Sequence, residues 1–215
     1  MYGENFFEGW KRTVQHFYLV IMPVQFMQLN LAHRKVATID MSLESRADTL
    51  YVLQEPYFKP DGKAGVIDNS KFHCLEFDIK VDSWPRAAIY YPNLKHYTYL
   101  PAPHLTTRDI CVGMLEGKNF RAYVASIYCD ITLPVESQDL INLVRYCQDE
   151  SFPLICCVDS NAHSYLWQNP TGENDRGIKW EEFPHNGVVR RLKSRSDWEK
   201  TWKARMESKP CLVDE

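Results

Sequence analysis

The sequence has no excess of one charge and no paired-cysteine framework, and each absence excludes a class of protein. Its 25 basic and 28 acidic residues give a net charge of −3. Strongly basic nucleic-acid-coating proteins are thereby excluded, so any contact with DNA must come from a specific site and local basic patches. The seven cysteines show no C-x-x-C spacing, which argues against a zinc finger or a disulfide framework and favours reduced thiols in the cytoplasm or nucleus.

Long apolar segments are also lacking. The apolar run at 17–27 is interrupted by Pro23 and Gln25 and is too short to span a bilayer. Lys11 and Arg12 precede it, as in a secretory signal, but no small-residue cleavage site follows. We therefore expect an intracellular protein without a signal peptide or membrane anchor. With no internal repeats, the 215 residues are enough for one domain with a hydrophobic core.

The stretch from Leu154 to Ser164 joins a buried strand to a group of reactive side chains. Its apolar first part is typical of a strand buried on both faces. Asp159 ends this strand at the rim of a sheet, where open α/β folds bind ligands. Asn161 falls on the same side because side chains alternate along an extended chain. The pattern suits a metal-and-phosphate site, although an Asx-rich turn that only closes the strand explains the same residues.

Three earlier strands are predicted to end in polar groups as well. A strand at 24–31 ends in Asn30, a strand at 50–53 runs into Glu55 and Pro56, and a strand at 120–128 ends in Tyr128. Glu55 taken alone is equally explained as a solvated rim residue. Tyr128 is equally explained as a core aromatic whose hydroxyl bonds a backbone carbonyl.

The remaining pattern predicts helices around a central series of strands. Successive strands at 72–81, 86–90, 109–115 and 120–128, with a hairpin turn at 116–119, indicate antiparallel pairing. Helical stripes are predicted for three sets of residues: Val36, Ile39, Leu43 and Ala47; Leu140, Leu143, Val144 and Cys147 in a helix opened by Pro134; and Trp198, Trp202 and Met206 after a capping box at Ser196 and Glu199.

Four strand-end motifs in a fixed order are far more specific than any one of them. They are Gln28-Leu29-Asn30, Gln54-Glu55-Pro56-Tyr57, Ser126-Ile127-Tyr128 and Asp159-Ser160-Asn161-Ala162-His163-Ser164. In this order they resemble the endonuclease/exonuclease/phosphatase superfamily, which includes DNase I and the apurinic/apyrimidinic endonucleases. More narrowly, the sequence resembles the endonuclease domain of jockey-type non-LTR retrotransposons. This narrowing rests on the second motif, on Trp167 after the fourth, and on Asn174-Asp175-Arg176-Gly177 before Glu181-Glu182-Phe183.

The resemblance implies a fold and a set of roles. The fold is α/β, a DNase I-like four-layer sandwich of two mixed β-sheets flanked by helices. By resemblance, Glu55 is a Mg²⁺ ligand and Asn30 supports the metal and phosphate site. Tyr128 contacts the scissile phosphate, Asp159 orients and deprotonates the attacking water, and Asn161 contacts the phosphate in the transition state. Mn²⁺ is a possible substitute for Mg²⁺. The implied partners are DNA and, in an intact element, a reverse transcriptase domain.

The resemblance covers residues 24–189 and then stops. We expect an N-terminal extension at 1–23, an endonuclease-like domain at 24–189, and a basic linker with a short amphipathic helix at 190–215. The family continues with further strands that carry an Asp-x-Thr-like motif and a Ser-Asp-His motif. Ser196-Asp197-Trp198 has no imidazole, and His163 does not match the family's catalytic histidine. Gln168 stands where the family usually has Gly.

Two functions follow from this departure. The first is Mg²⁺-dependent nicking of target DNA by a fold that lacks its last strands, impaired by loss of the Ser-Asp-His motif. The alternative is an inactive relic or a repurposed binding module with the same fold. A phosphatase of the same superfamily is disfavoured by the retrotransposon-type motifs.

Overall fold

The computed structural model of the chain describes residues 24–78, 84–118, 120–164 and 172–182. Its helices and strands fall between Gln25 and Glu182, inside the segment for which one domain is predicted. The predicted N-terminal extension and the predicted segment at 190–215 lie outside the described residues. None of the helices in these ranges has the length and apolar character that a membrane crossing requires.

Two mixed sheets form the framework, each with four strands in the described part of the chain. The first sheet has the order β1 (Gln25–Asn30), β2 (Thr49–Gln54), β4 (Ala87–Tyr90) and β3 (Phe72–Cys74). The second has the order β5 (Thr98–Pro101), β6 (Ile110–Gly117), β7 (Phe120–Tyr128) and β8 (Leu154–Asp159). The β1–β2 and β7–β8 pairs are parallel and the other pairs antiparallel. The predicted α/β class with two mixed sheets is confirmed.

The core lies between the sheets because side chains alternate along each strand. Inward residues of β2 and β4, such as Val52 and Ile89, meet inward residues of β6 and β7, such as Leu115 and Val124. All four of these side chains are inaccessible to solvent. The same alternation gives each sheet an outer face, where the helices pack.

Helix α2 (Gln138–Asp149) covers the outer face of the second sheet. Its buried residues are the four of the predicted stripe: Leu140, Leu143, Val144 and Cys147. The predicted start at Pro134 is wrong, because Ser137 is the N-cap and its hydroxyl accepts a hydrogen bond from Leu140 N. That bond satisfies one of the backbone donors that a helix leaves free at its N-terminus.

Helix α1 (Lys35–Leu43) lies on the first sheet, and its predicted apolar face is wrong. Val36 and Leu43 are 68% and 62% exposed. The buried residues are instead Thr38, Met41 and Ser42. Thr38 Oγ1 accepts a hydrogen bond from Tyr57 N at 3.2 Å, so hydroxyl groups dock this helix against the loop that follows β2. A hydroxyl group can be buried at little cost when it is hydrogen-bonded. A helix face predicted from apolar residues alone therefore misses buried threonine and serine.

Two other elements differ from the prediction. Strand β3 ends at Cys74, although a strand through residue 81 is predicted. Strand β5 at Thr98–Pro101 has no predicted counterpart. Helix α3 spans Asp175–Glu182, and strand β7 has the predicted bounds.

Candidate active site

The four strand-end motifs meet at one rim of the sandwich. Asn30 lies opposite Gln54 in the first sheet, and Tyr128 lies opposite Asp159 in the second. Asn30 Nδ2 donates to Asp159 Oδ2 at 2.6 Å and so joins the two sheets where the parallel strands end. These residues are 129 positions apart in sequence, and the bond directly links the first and fourth motifs.

Asp159 is held through one oxygen. Its Oδ2 accepts the short bond from Asn30, while its Oδ1 has only a long contact of 3.4 Å with Asn161 N. Asn30 is itself fixed, because its Oδ1 accepts from Ala32 N at 2.8 Å. The carboxylate is therefore oriented by one oxygen and leaves the other better placed to accept a proton or a water hydrogen.

Asn161 and Tyr128 form a donor pair beside that carboxylate. Asn161 has a φ of 47°, a left-handed conformation that asparagine tolerates better than most residues. Its Nδ2 donates to Cys129 O at 3.0 Å, and its side chain also bonds the Tyr128 hydroxyl. Burial and then the Glu55 charge raise the pKa of Tyr128, against the opposing effects of Arg86 and of the Asn161 bond. Because its pKa is raised, Tyr128 keeps its phenol hydrogen at neutral pH, and its hydroxyl lies within reach of the Asn161 side chain.

Glu55 stands one residue beyond β2 in a left-handed conformation, with φ 49°. Such a backbone is unfavourable for glutamate and persists only where neighbours enforce it. Here Glu55 N donates to Arg86 O and Glu55 O accepts from His33 N, both at 2.8 Å. The carboxylate is 21% exposed and lies 3.6 Å from His33 Nε2. The charges of Glu55 and Asp159 both act on the Tyr128 hydroxyl.

The donor set suits a hard cation with an incomplete protein shell. Glu55 offers a carboxylate and Asn30 a carbonyl oxygen, which are ligand types that Mg²⁺ takes together with several waters. Within the described ranges, no three His, Cys, Asp or Glu side chains are clustered closely enough to hold a metal ion. A closed zinc-type site is therefore not formed by these residues, whereas the oxygen types of Glu55 and Asn30 suit Mg²⁺ that keeps several waters.

A buried polar link lies just beneath the rim. Gln54 Nε2 donates to Ser126 Oγ at 3.0 Å, and Ser126 Oγ donates to Leu53 O at 2.7 Å. Gln54 also reaches Cys157 O at 3.3 Å. Gln54 and Ser126 are completely buried. The polar residues that open the second and third motifs thus tie the sheets together under the site.

Arg86 is a site residue that the sequence reasoning missed. Its Nε and Nη2 bind the two oxygens of Asp109 at 2.6 Å each, and its Nη1 binds Asp130 at 2.5 Å. The bonds to Asp109, and then the one to Asp130, raise the pKa of Arg86 above its already high ordinary value. Its guanidinium carbon lies 4.6 Å from the centre of the Tyr128 ring. The sequence signal was weak: Arg86 and Asp109 are the first residues of two predicted strands, and Asp130 lies two residues after a third.

Arg176 clamps the loop that carries Asp159 and Asn161. Its guanidinium donates to Ser160 O at 2.9 Å, to Asp130 O at 2.8 Å and to Leu133 O at 2.6 Å. The Ser160 carbonyl lies between the two candidate catalytic residues in sequence. Arg176 therefore fixes the backbone on which both side chains stand.

The other residues of the Asn174–Gly177 motif hold the same loop. Asn174 Oδ1 accepts from His163 N at 3.1 Å and from Gly177 N at 2.8 Å. A Cβ on Gly177 would lie 1.8 Å from His163 O, so only glycine permits this approach of α3. Ser164 Oγ donates to the Glu181 carboxylate. Trp167 and Gln168, which the resemblance also singles out, lie outside the described residues.

Among solved structures, the chain is similar to the endonuclease domain of TRAS1, a telomere-specific non-LTR retrotransposon. The TM-score is 0.56 and the identity 23%, over 74% of this chain and 68% of that one. No protein-family model matches the sequence, and no curated protein does. This likeness confirms the predicted DNase I-like fold.

Proposed function

We propose that this chain is a DNA endonuclease domain of the retrotransposon type, which uses Mg²⁺, or Mn²⁺ in its place, to nick DNA. The observation that carries the proposal is the 2.6 Å bond between Asn30 and Asp159. It places the acid of one sheet against the amide of the other, at the rim where Glu55, Tyr128 and Asn161 also stand. An Asx-rich turn that only closes a strand would not require two carboxylates, two amides and a phenol at the same rim.

The roles follow from the contacts of each side chain. Asp159, oriented through Oδ2, accepts through Oδ1 the proton of a water that attacks the scissile phosphorus. Tyr128 donates its hydroxyl hydrogen to a non-bridging phosphate oxygen, and Asn161 supports that hydroxyl. Preorganised donors of this kind stabilise charge that develops in the transition state. Glu55 and Asn30 would hold the Mg²⁺, which supplies positive charge against the phosphate when bound.

The expected rate is low. Nothing between Val189 and Glu215 supplies a Ser-Asp-His motif. Losing one electrostatic donor costs about 10²–10³ in rate, and such losses are not additive. We therefore expect nicking below about a thousandth of the rate of an intact relative. DNA is the proposed partner, with a reverse transcriptase domain in an intact element.

The test is nicking of supercoiled plasmid with Mg²⁺ or Mn²⁺. Glu55→Ala and Asp159→Ala serve as matched inactive variants. Weak nicking that both substitutions abolish supports the proposal. Robust nicking abolished by either substitution would overturn the expected impairment, and His163, which follows the Asp-x-Asn motif, would be the first candidate for the missing histidine. Nicking unchanged in both variants would show a contaminating nuclease and leave the chain without the proposed activity.

The second candidate is a module that binds DNA without cutting it. The departure at the Ser-Asp-His motif favours it, because binding needs neither the histidine nor the metal. Tight DNA binding with no nicking in either metal, and with no effect of Asp159→Ala on affinity, would select this function over the first.

A further inference from the structure

An open cleft of about 390 Å³ lies beside the candidate active site. Its lining consists of His33, Pro56, Tyr57, Phe58, Trp84, Arg86 and Arg108. The cleft begins at the candidate metal ligand, because His33 lies 3.6 Å from the Glu55 carboxylate and Pro56 directly follows it. A ligand in the cleft would therefore lie next to a phosphate at the rim.

One wall of the cleft is aromatic and firmly supported. Trp84 packs at 5.6 Å from Phe58, tilted by 31°, and at 5.1 Å from Phe77. Trp84 and Tyr57 are only half-buried, and both line the open cleft. The Tyr57 ring packs directly against Gly65, where a Cβ would lie 2.7 Å from the ring. Supported rings with an open side are surfaces on which a nucleobase stacks.

The two arginines of the cleft differ in what they can bind. Arg86 already binds Asp109 and Asp130 through three hydrogen bonds, so two carboxylates compensate its charge. Arg108 is exposed, and its Nε donates to Trp84 O at 3.2 Å. Its terminal nitrogens have no acceptor within the described part of the chain. Arg108 is thus anchored beside the tryptophan, and among the described residues nothing accepts from its two terminal nitrogens, an arrangement that favours a phosphate.

We propose that this cleft binds one unpaired nucleotide of the DNA substrate, with its base against Trp84 and Tyr57 and its phosphate on Arg108. This rests on the proposed function and adds the substrate class: DNA with a displaced nucleotide beside the scissile bond. A volume near 390 Å³ is in the range of single small-ligand sites and too small for a base-paired duplex. A paired base has its faces covered by its neighbours and offers the tryptophan nothing to stack on.

The experiment adds the full chain, without metal, to two labelled duplexes of the same sequence and measures the fluorescence anisotropy of each duplex. One duplex is fully paired and the other has a single unpaired nucleotide at its centre. We expect the chain to bind the bulged duplex about tenfold more tightly, as one stacked base provides. Trp84→Ala should remove this preference and Trp84→Phe should keep most of it.

Arg108→Ala tests the phosphate contact, with Arg145→Ala as its control. Arg145 is an exposed arginine of α2, so both substitutions remove one surface charge. Arg108→Ala should weaken binding about five- to tenfold and lower the salt dependence by about one phosphate contact. Arg145→Ala should change binding less than twofold.

Two results would overturn the cleft proposal. One is equal affinity for the paired and bulged duplexes, and the other is equal loss from both arginine substitutions. Neither would touch the proposed nicking activity, which the plasmid assay measures separately. Failure to bind either duplex would remove the DNA function and the cleft proposal together.

Discussion

Replacing Arg86 by alanine should destabilise the protein more than any exposed ion-pair substitution. The change leaves Asp109 and Asp130 facing the same space without a cation, since both now bind one guanidinium through three bonds of 2.5–2.6 Å. It also removes the cation above the Tyr128 ring. The expected result is therefore a loss of stability together with a disturbed candidate site.

The size of the loss follows from burial. Removing one partner of a fully buried ion pair costs about 3–5 kcal/mol. The two aspartates keep 24% and 21% of their side-chain exposure, so water can rehydrate them in part. We expect a decrease of about 2–3 kcal/mol in the free energy of unfolding. Arg86→Lys should recover less than half of it, because an ammonium cannot bind Asp109 through two parallel bonds.

Urea unfolding measured by tryptophan fluorescence is the assay, with Arg121→Ala as the matched control. Arg121 pairs with Glu116 on the surface, where the side chains are 50% and 37% exposed. Its loss should cost less than about 1 kcal/mol. Equal effects of the two substitutions would refute the reasoning that Arg86 binds the ends of β4, β6 and β7 together. Adding Asp130→Asn to Arg86→Ala should restore part of the stability by removing one uncompensated charge.

Three further outcomes are expected. Ser126→Ala should cost about 1–3 kcal/mol in urea unfolding, because it leaves buried donors and acceptors around Gln54 unpaired. Gly177→Ala should lower the melting temperature by several degrees and weaken nicking, since a Cβ 1.8 Å from His163 O displaces the loop; an unchanged melting temperature would contradict this contact. Burial lowers the pKa of His73 to about 4. Between pH 6.5 and 4 the unfolded chain therefore binds a proton at His73 that the folded chain does not bind. Stability should fall by up to about 3 kcal/mol between pH 6.5 and 4, and His73→Gln should flatten that part of the profile.

Local periodicity determined much of the fold. Strand β7 and the buried face of α2 have the predicted residues. Both follow from repeats of apolar side chains at spacings that one element imposes on its own sequence. The strand-end positions of Asn30, Glu55 and Asp159 were predicted for the same reason, since each one closes an apolar run.

Only the tertiary structure decided which of these ends touch and what holds them. The Asn30–Asp159 bond joins residues 129 positions apart, and Arg86 finds its two acids 23 and 44 positions away. No spacing along the chain encodes such partners, because they depend on how two sheets stack. The buried face of α1 escaped prediction likewise, since Thr38 is buried through a hydrogen bond that exists only once the loop at Tyr57 has folded against it. The role of a polar residue depends on its hydrogen-bond partners, and only the folded structure brings together partners that are distant in sequence.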